Sequence, residues 1–251
     1  NILIKKISFD SQKCEQDTLF FALTGNVVDG HKFIDHAISS GATCIVCEDL
    51  PIQLKHNITY IKVRDSREAL GFASSNFFNN PSKKIKVIGI TGTNGKTTIA
   101  TLLFNLFKQL KYSCGLISTI ENRINDLIIP TNSTTPDALK INELLSQMIL
   151  NDCKVCFMEV SSHGIKQNRI SGINFAFAVF TNISRDHLDY HKNLEDYILT
   201  KKKFFDDLGK DSIAVINKDD EYGEKMISNC KSKKILYSVD SKNTDHKAEI
   251  L

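Results

Sequence analysis

Residues 87–98 read VIGITGTNGKTT, and this stretch decides the fold. The apolar run at 85–90 has the composition of a strand buried on both faces. Gly89 lies within this run, Gly92 and Gly95 follow it, and Lys96 opens a helical pattern over 96–110. In that pattern Ile99, Leu102, Leu103, Leu106, Phe107 and Leu110 are expected to share one face. Strand, glycine turn and amphipathic helix in this order make the context of a phosphate-binding loop. Glycines let the backbone curl, so N–H groups of Gly92, Thr93, Asn94 and Gly95 can converge on phosphate oxygens. The helix N-terminus adds its dipole. Lys96 is placed to reach the β- and γ-phosphates of ATP, Thr97 to offer its hydroxyl to Mg²⁺, and Thr98 to line the same turn. The strict pattern G-x-x-x-x-G-K-[ST] is not met, because its first glycine would fall at 90, which is Ile90. The loop is a variant.

Downstream of the loop, strand-like and helix-like segments alternate. Strands are expected at 115–119, 153–160, 175–181, 212–217 and 235–239, and helices near 194–208 and 219–229. A further helix opens at Thr135-Pro136-Asp137, with Pro136 in its first turn. Such alternation argues for a mainly parallel sheet covered by helices. Upstream, short strands at 20–23, 43–47 and 59–63 alternate with helices at 31–40 and 66–78, the second capped by Ser66. The polar break at 79–82 separates the two patterns. The expected fold class is therefore α/β. A small N-terminal α/β domain, residues 1–80, precedes a phosphate-loop ATPase domain with a parallel sheet, residues 81–251.

Composition sets outer limits. The chain has 251 residues, 41% hydrophobic and 24% charged, as in an ordinary globular protein rather than a disordered one. No apolar stretch approaches the roughly 18 residues of a membrane helix, so no membrane insertion is expected. Net charge is +3. Residues 1–80 carry 8 Lys+Arg against 9 Asp+Glu, and residues 81–251 carry 24 against 20. Neither balance is that of a nucleic-acid-binding surface, and Trp is absent. Seven cysteines include the pairs Cys44/Cys47 and Cys153/Cys156, a spacing often used for zinc. Both pairs lie in strand-like runs, where residues three apart point to opposite faces and cannot share one ion. Reduced core thiols and a cytoplasmic location are expected.

Other residues carry chemistry only in company. Glu159 ends an apolar strand, and an acid there commonly holds Mg²⁺ beside a phosphate loop. The segment FTNISRDHLDYH, residues 180–191, holds two His and two Asp within six residues. By spacing alone His187 reads equally as a metal ligand or as a polar loop residue. The run Lys201-Lys202-Lys203 reads, on pattern alone, as a solvated helix face. No guanine-reading segment is present, since Asn217-Lys218-Asp219-Asp220 has the wrong spacing, which disfavours a GTPase-like switch.

Taken together, TGTNGKTT (91–98), EVSSHG (159–164), TNISRDHLDYH (181–191) and the lysine after YILT (197–200) resemble the Mur ligases of peptidoglycan synthesis. STTPDA (133–138) and SSHGIKQNRISG (161–172) are most similar to the branch that adds the third amino acid. The resemblance implies an ATP-dependent amide ligase that couples a diamino acid, meso-2,6-diaminopimelate with lysine as the alternative, to UDP-MurNAc-L-Ala-D-Glu through an acyl phosphate. It implies that Lys96 binds the transferring phosphate and that Thr97, Glu159 and His187 serve the metals. It also implies that Lys201, four residues after Tyr197, is carbamylated by CO₂ and holds a second Mg²⁺.

By the same resemblance Thr134, Thr135, Ser161, Gln167 and Arg169 contact the muramoyl-dipeptide. Ser11, in Asp10-Ser11-Gln12, matches a uridine-site segment with Gln12 in place of Arg, and GNVVDG (25–30) matches a second uridine-site turn. The family's third, C-terminal domain has no counterpart here, and no initiator Met is present. The chain is therefore expected to be part of a longer, monomeric ligase, with the acceptor pocket elsewhere. The alternatives are another Mur ligase, a folylpolyglutamate synthetase-like ligase, or a nucleotide- or UDP-sugar-binding module without catalysis of its own.

Overall fold

A computed structural model describes residues 3–25, 28–185, 190–241 and 243–249. The chain divides into two compact units, Asn1–Phe77 and Phe78–Leu251.

In the first unit the strands are β1 (Lys6–Ser8), β2 (Thr18–Phe21), β3 (Ala42–Cys47) and β4 (Thr59–Lys62), all parallel and in that order. Its helices are α1 (Ile34–Ser39) and α2 (Ser66–Phe77). The start of the helix expected at 31–40 is a 3₁₀ turn, Gly30–Phe33, which Asp29 caps through the His31 N–H. Gly41, with φ +107°, ends α1 in a conformation only glycine adopts cheaply. Asp65, not Ser66, caps α2. Its Oδ1 accepts from the N–H groups of Arg67 and Glu68, while Ser66 donates to Glu48.

The second unit contains β5 (Lys86–Thr91), α3 (Lys96–Gln109), β6 (Cys114–Ile117), β7 (Asn122–Ile124), β8 (Leu127–Ile129) and α4 (Ala138–Leu150). It continues with β9 (Val155–Glu159), α5 (Ser162–Lys166), β10 (Phe175–Phe180) and α6 (Leu194–Asp206). The last elements are β11 (Ile213–Asn217), α7 (Gly223–Met226), β12 (Lys233–Ser238) and β13 (His246–Lys247). Among the described residues the strand order is β13-β12-β11-β10-β5-β9-β6-β7-β8. The pairs from β13 to β6 are parallel, and the β6–β7–β8 edge is an antiparallel meander that the sequence pattern did not reveal. β7 and β8 have three residues each, too short for a period-2 signal. Asp137 caps α4, so Pro136 stands before the cap instead of inside the first turn. The helix expected over 219–229 shrinks to α7.

Alternation along the strands sorts the core onto two faces. Val87, Cys156 and Met158 join α4 and α6 on one side, whereas Ile90, Val155 and Phe157 join α3 on the other. The α3 face differs from expectation. Ile99, Ala100, Leu103, Phe104 and Phe107 pack inward, while Leu102, Leu106 and Leu110 are exposed. The six apolar residues span too wide an arc for one narrow contact, and the sheet takes the stripe centred on Phe104.

Gly89 decides how α6 seats. A Cβ there would lie 2.7 Å from Phe204 Cζ and 2.8 Å from Phe175 Cε1, two rings in edge-to-face contact at 4.9 Å. Gly89→Ala is expected to cost about 1–3 kcal/mol by overpacking, read as a lower urea midpoint at constant slope.

The opposite-face reading holds for Cys44/Cys47 and fails for Cys153/Cys156, which share one core cluster. All seven thiols are free and buried. Cys47 joins the cluster of Phe20, Ala22 and Ile45, while Cys44, one pleat away, does not. Cys153 lies just before β9 instead of within it. Burial pushes the Cys114 thiol up to about 11 and that of Cys156 higher still, which leaves both poorly nucleophilic.

Candidate active site

Parallel strands end on one edge, and that edge assembles the site. In register, Ile90 of β5 lies beside Glu159 of β9, Thr91 beside Phe180 of β10, and Met158 beside Ile117 of β6. The loop after β5, the acid ending β9, Thr181-Asn182 after β10 and Ser118-Thr119 after β6 therefore meet.

The loop is built for close approach. Gly92 has φ +150°, and a Cβ there would sit 1.9 Å from Thr181 Oγ1. Gly95 has φ +86° and leads directly into α3. Three bonds to the β10 loop fix its shape. The Thr93 N–H donates to the Asn182 carbonyl (2.8 Å), the Asn94 N–H to Asn182 Oδ1 (3.0 Å), and Thr181 Oγ1 to the Asn94 carbonyl (2.7 Å). Thr98 is exposed on the first turn of α3.

Around this loop lies a cavity of about 360 Å³ lined by Lys96, Thr97, Thr119, Thr134, Thr135 and Glu159, and by Ser161, Ser162, His163, Arg169 and Lys201. Glu159 is fully buried. Its Oε2 accepts from Thr97 Oγ1 (2.9 Å) and Thr119 Oγ1 (3.1 Å), and its Oε1 from the Thr119 N–H (2.8 Å). Thr135 Oγ1 donates to the Glu159 carbonyl and accepts from the Ser161 N–H, each at 2.9 Å, so the STTPDA segment is tied to the end of β9. Ser161 caps α5 through the Gly164 N–H. Arg169 donates to the Thr135 carbonyl at 2.6 Å, and Gln167 Oε1 accepts from its Nε and Nη2. Gln167 thus orients Arg169 from outside the cavity.

The lysine run is not a solvated face. Lys201 is 1% exposed and Lys202 is buried, while Lys203 is exposed. Lys202 pairs with Asp206 at 2.6 Å, and Lys203 with Asp207. Lys201 instead lies 4.6 Å from the centre of the Tyr197 ring and donates to the Gly92 carbonyl at 2.9 Å. The same carbonyl accepts from Lys96 Nζ at 3.0 Å, and Lys96 also reaches the Thr93 carbonyl at 2.7 Å. Tyr197, Lys201, Phe204 and Phe205 form one buried stripe of α6, so the packing permitted by Gly89 delivers Lys201 to the loop. Tyr197 Oη and Thr93 Oγ1 are 3.1 Å apart.

Some expected residues lie elsewhere. Ser11 is buried in a 3₁₀ turn of the first unit, Ser11–Lys13, capped by Asp10. His187, Asp186, Asp189 and the turn residues Asn26 and Val27 lie outside the described residues. Among the described residues no group of three or more His, Cys, Asp or Glu could hold a metal ion. His191, from the same His/Asp segment, is 2% exposed, with Nδ1 3.2 Å from Asp196 Oδ2 and its ring 5.1 Å from that of Tyr197. Thr119, Thr181 and Asn182 were not singled out from sequence, because single polar residues at strand ends carry no spacing signal.

Burial holds the His191 pKa below its ordinary 6.5, against the pull of Asp196. The unfolded chain therefore takes up this proton more readily, so stability is full above about pH 6.5 and falls as pH drops below it. Urea midpoints measured through that range should decline more steeply for the wild type than for His191→Asn.

The family model for the Mur ligase middle domain matches residues 90–251, and that described as the Mur ligase family catalytic domain matches residues 3–78. A relative from Bacteroides fragilis named UDP-N-acetylmuramoyl-L-alanyl-D-glutamate–2,6-diaminopimelate ligase is 51% identical over 251 residues, which is 100% of this chain and 52% of that protein. One of the same name from Cytophaga hutchinsonii is 51% identical over 94% of this chain and 49% of its own length. A solved structure of a ligase with this name superposes with TM-score 0.85 at 30% identity, covering 97% of this chain and 50% of the other. The chain spans about half the length of the curated relatives it matches. It belongs to the Mur ligase family.

Proposed function

We propose that this chain forms the nucleotide- and substrate-handling part of an ATP-dependent amide ligase of peptidoglycan synthesis, which joins meso-2,6-diaminopimelate to UDP-MurNAc-L-Ala-D-Glu. The observation that carries the reading is the meeting of Lys96 and the Thr97–Glu159 pair with Thr134, Thr135, Ser161 and Arg169 in one cavity. Its phosphate-loop end suits a triphosphate, and its hydroxyl- and guanidinium-lined end suits a carboxylate-bearing peptide.

A carboxylate is a poor electrophile until one oxygen becomes a leaving group. In the proposed sequence a D-Glu carboxylate oxygen attacks the γ-phosphorus, the bond to the β-phosphate oxygen breaks and ADP leaves. The amine then attacks the acyl carbon, the carbon–oxygen bond breaks, phosphate leaves and the amine loses a proton. Bringing two anions together requires cations. Lys96 and the α3 N-terminus spread the charge of the transferring phosphoryl group. Arg169, held by Gln167 and the Thr135 carbonyl, orients the dipeptide together with Thr134 and Ser161. Ser11 of the first unit contacts the uridine.

Thr97 and Glu159 offer hard oxygen donors that suit Mg²⁺, with His187 as a further ligand. Mg²⁺ would screen the two anions. Lys96 and Lys201 converge on one carbonyl oxygen, and two ammonium groups so placed repel. Addition of CO₂ to Lys201 would turn that repulsion into attraction and supply a carboxylate for a second Mg²⁺. The proposed enzyme is a cytoplasmic monomer.

The test is product formation by the full-length enzyme carrying this chain. ATP-dependent coupling of diaminopimelate to UDP-MurNAc-L-Ala-D-Glu is expected, with far lower turnover on UDP-MurNAc-L-Ala or folates. Preference for either of those would overturn the assignment.

A further inference from the structure

The opposite edge of the large sheet, where the parallel strands begin, is a lysine rim. β5 is entered through the exposed Lys83, Lys84 and Lys86, and β9 through the exposed Lys154. Exposed Lys210 precedes β11, and exposed Lys231 and Lys233 stand at the start of β12. These entries are level with one another. The Lys86 N–H donates to the Lys154 carbonyl (3.1 Å), Ser212 Oγ to the Phe175 carbonyl (2.7 Å) and Ser232 Oγ to the Gly209 carbonyl (2.7 Å). From β12 to β9 the rim crosses five strands, or about 20 Å at the usual strand spacing.

Among the described residues none of these seven lysines forms an ion pair, whereas Lys202 and Lys203 nearby are each paired. Among the described residues Asp152 and Asp211 interrupt the rim, while Asp126, Asp206 and Asp207 beside it are each paired with a lysine outside the seven. Three large apolar side chains stand at the same edge. Leu110 and Tyr112, between α3 and β6, are 58% and 54% exposed, and Leu150, at the end of α4, is 80% exposed. They flank the exposed lysines 111 and 154.

We infer that this edge docks the protein onto the surface of a bilayer rich in anionic phospholipid. The rim uses lysine alone, a point charge without the planar fork that reads phosphate geometry in nucleic acids or carboxylates in a protein partner. Projecting Leu and Tyr among lysines match a headgroup layer, which is charged above and apolar below. The attachment is peripheral, and among the described residues no helix is long and apolar enough to cross a membrane. Docked this way, the candidate active-site cavity, at the other ends of the same strands, faces the water.

The experiment is flotation of the chain with phosphatidylcholine vesicles, with and without phosphatidylglycerol. Binding is expected only with the anionic lipid and should fall steeply with salt. Lys84→Glu/Lys86→Glu/Lys154→Glu should lower partitioning at least about tenfold. Leu110→Ser/Leu150→Ser should lower it at low salt without changing the salt dependence. Both variants should keep wild-type circular dichroism and affinity for an ATP analogue. No binding to anionic vesicles, or equal loss with Lys32→Glu/Lys55→Glu at exposed lysines of the first unit, would overturn the inference. Tighter retention by DNA or polyglutamate than by anionic vesicles would overturn it too, in favour of a nucleic-acid or acidic protein partner.

Discussion

Lys201→Ala in the full-length enzyme is expected to lower turnover by at least about 10³-fold, the scale of losing a group that acts on transition-state charge. Lys202→Ala should leave turnover within about threefold. The contrast follows from where the two amines end. Lys201 reaches the phosphate loop at the Gly92 carbonyl, whereas Lys202 ends on Asp206 one turn along its own helix. If Lys201 acts as a carbamate, a short free carboxylate such as acetate should restore part of the rate to Lys201→Ala and none to Lys96→Ala. Rescue of both variants, or loss in Lys202→Ala instead, would refute the role proposed for Lys201. Steady-state rates with and without added carboxylate decide the matter.

Gly92→Ala is the second large effect. Its φ of +150° is open to glycine and strained for alanine, and the new Cβ would stand 1.9 Å from Thr181 Oγ1. That hydroxyl cannot simply rotate away, because it donates to the Asn94 carbonyl that shapes the same loop. A loss of at least about 3 kcal/mol of stability, or loop displacement with loss of ATP-analogue binding, is expected. Gly95→Ala isolates the conformational part. Its Cβ would meet only Ile99 Cδ1 at 3.9 Å, so the cost is that of φ +86° alone, about 1 kcal/mol. Calorimetric binding and urea melts of both variants separate steric clash from backbone strain. Similar effects from the two would mean that space at Gly92 is not limiting.

The lysine run shows where sequence reading stops. On pattern alone, three consecutive lysines read as solvent-facing. Resemblance to a family picks out Lys201, but no periodicity could, since the stripe 197, 201, 204, 205 places a lysine among aromatic rings. That lysine is buried because Gly89, on a different element, leaves room for Phe204. The rim was hidden in a similar way. A net charge of +3 hides it, because Asp and Glu elsewhere offset lysines that the strand order gathers on one edge.

Local features are legible in the amino-acid order alone. It held the phosphate loop between a buried strand and a helix, the α/β alternation, the break near residue 80, and the opposite faces of Cys44 and Cys47 on one strand. Each is legible because backbone geometry turns spacing directly into a face, a turn or a cap. Which residues meet is set by the packing of distant segments. Strand order set Glu159 beside the loop and added Thr119, Thr181 and Asn182, polar residues whose significance is their position at the ends of neighbouring strands. It also chose the buried stripe of α3, the N-cap of α2 and the one lysine of three that enters the cavity. Those choices depend on contacts between residues far apart in the chain, and no local period encodes them.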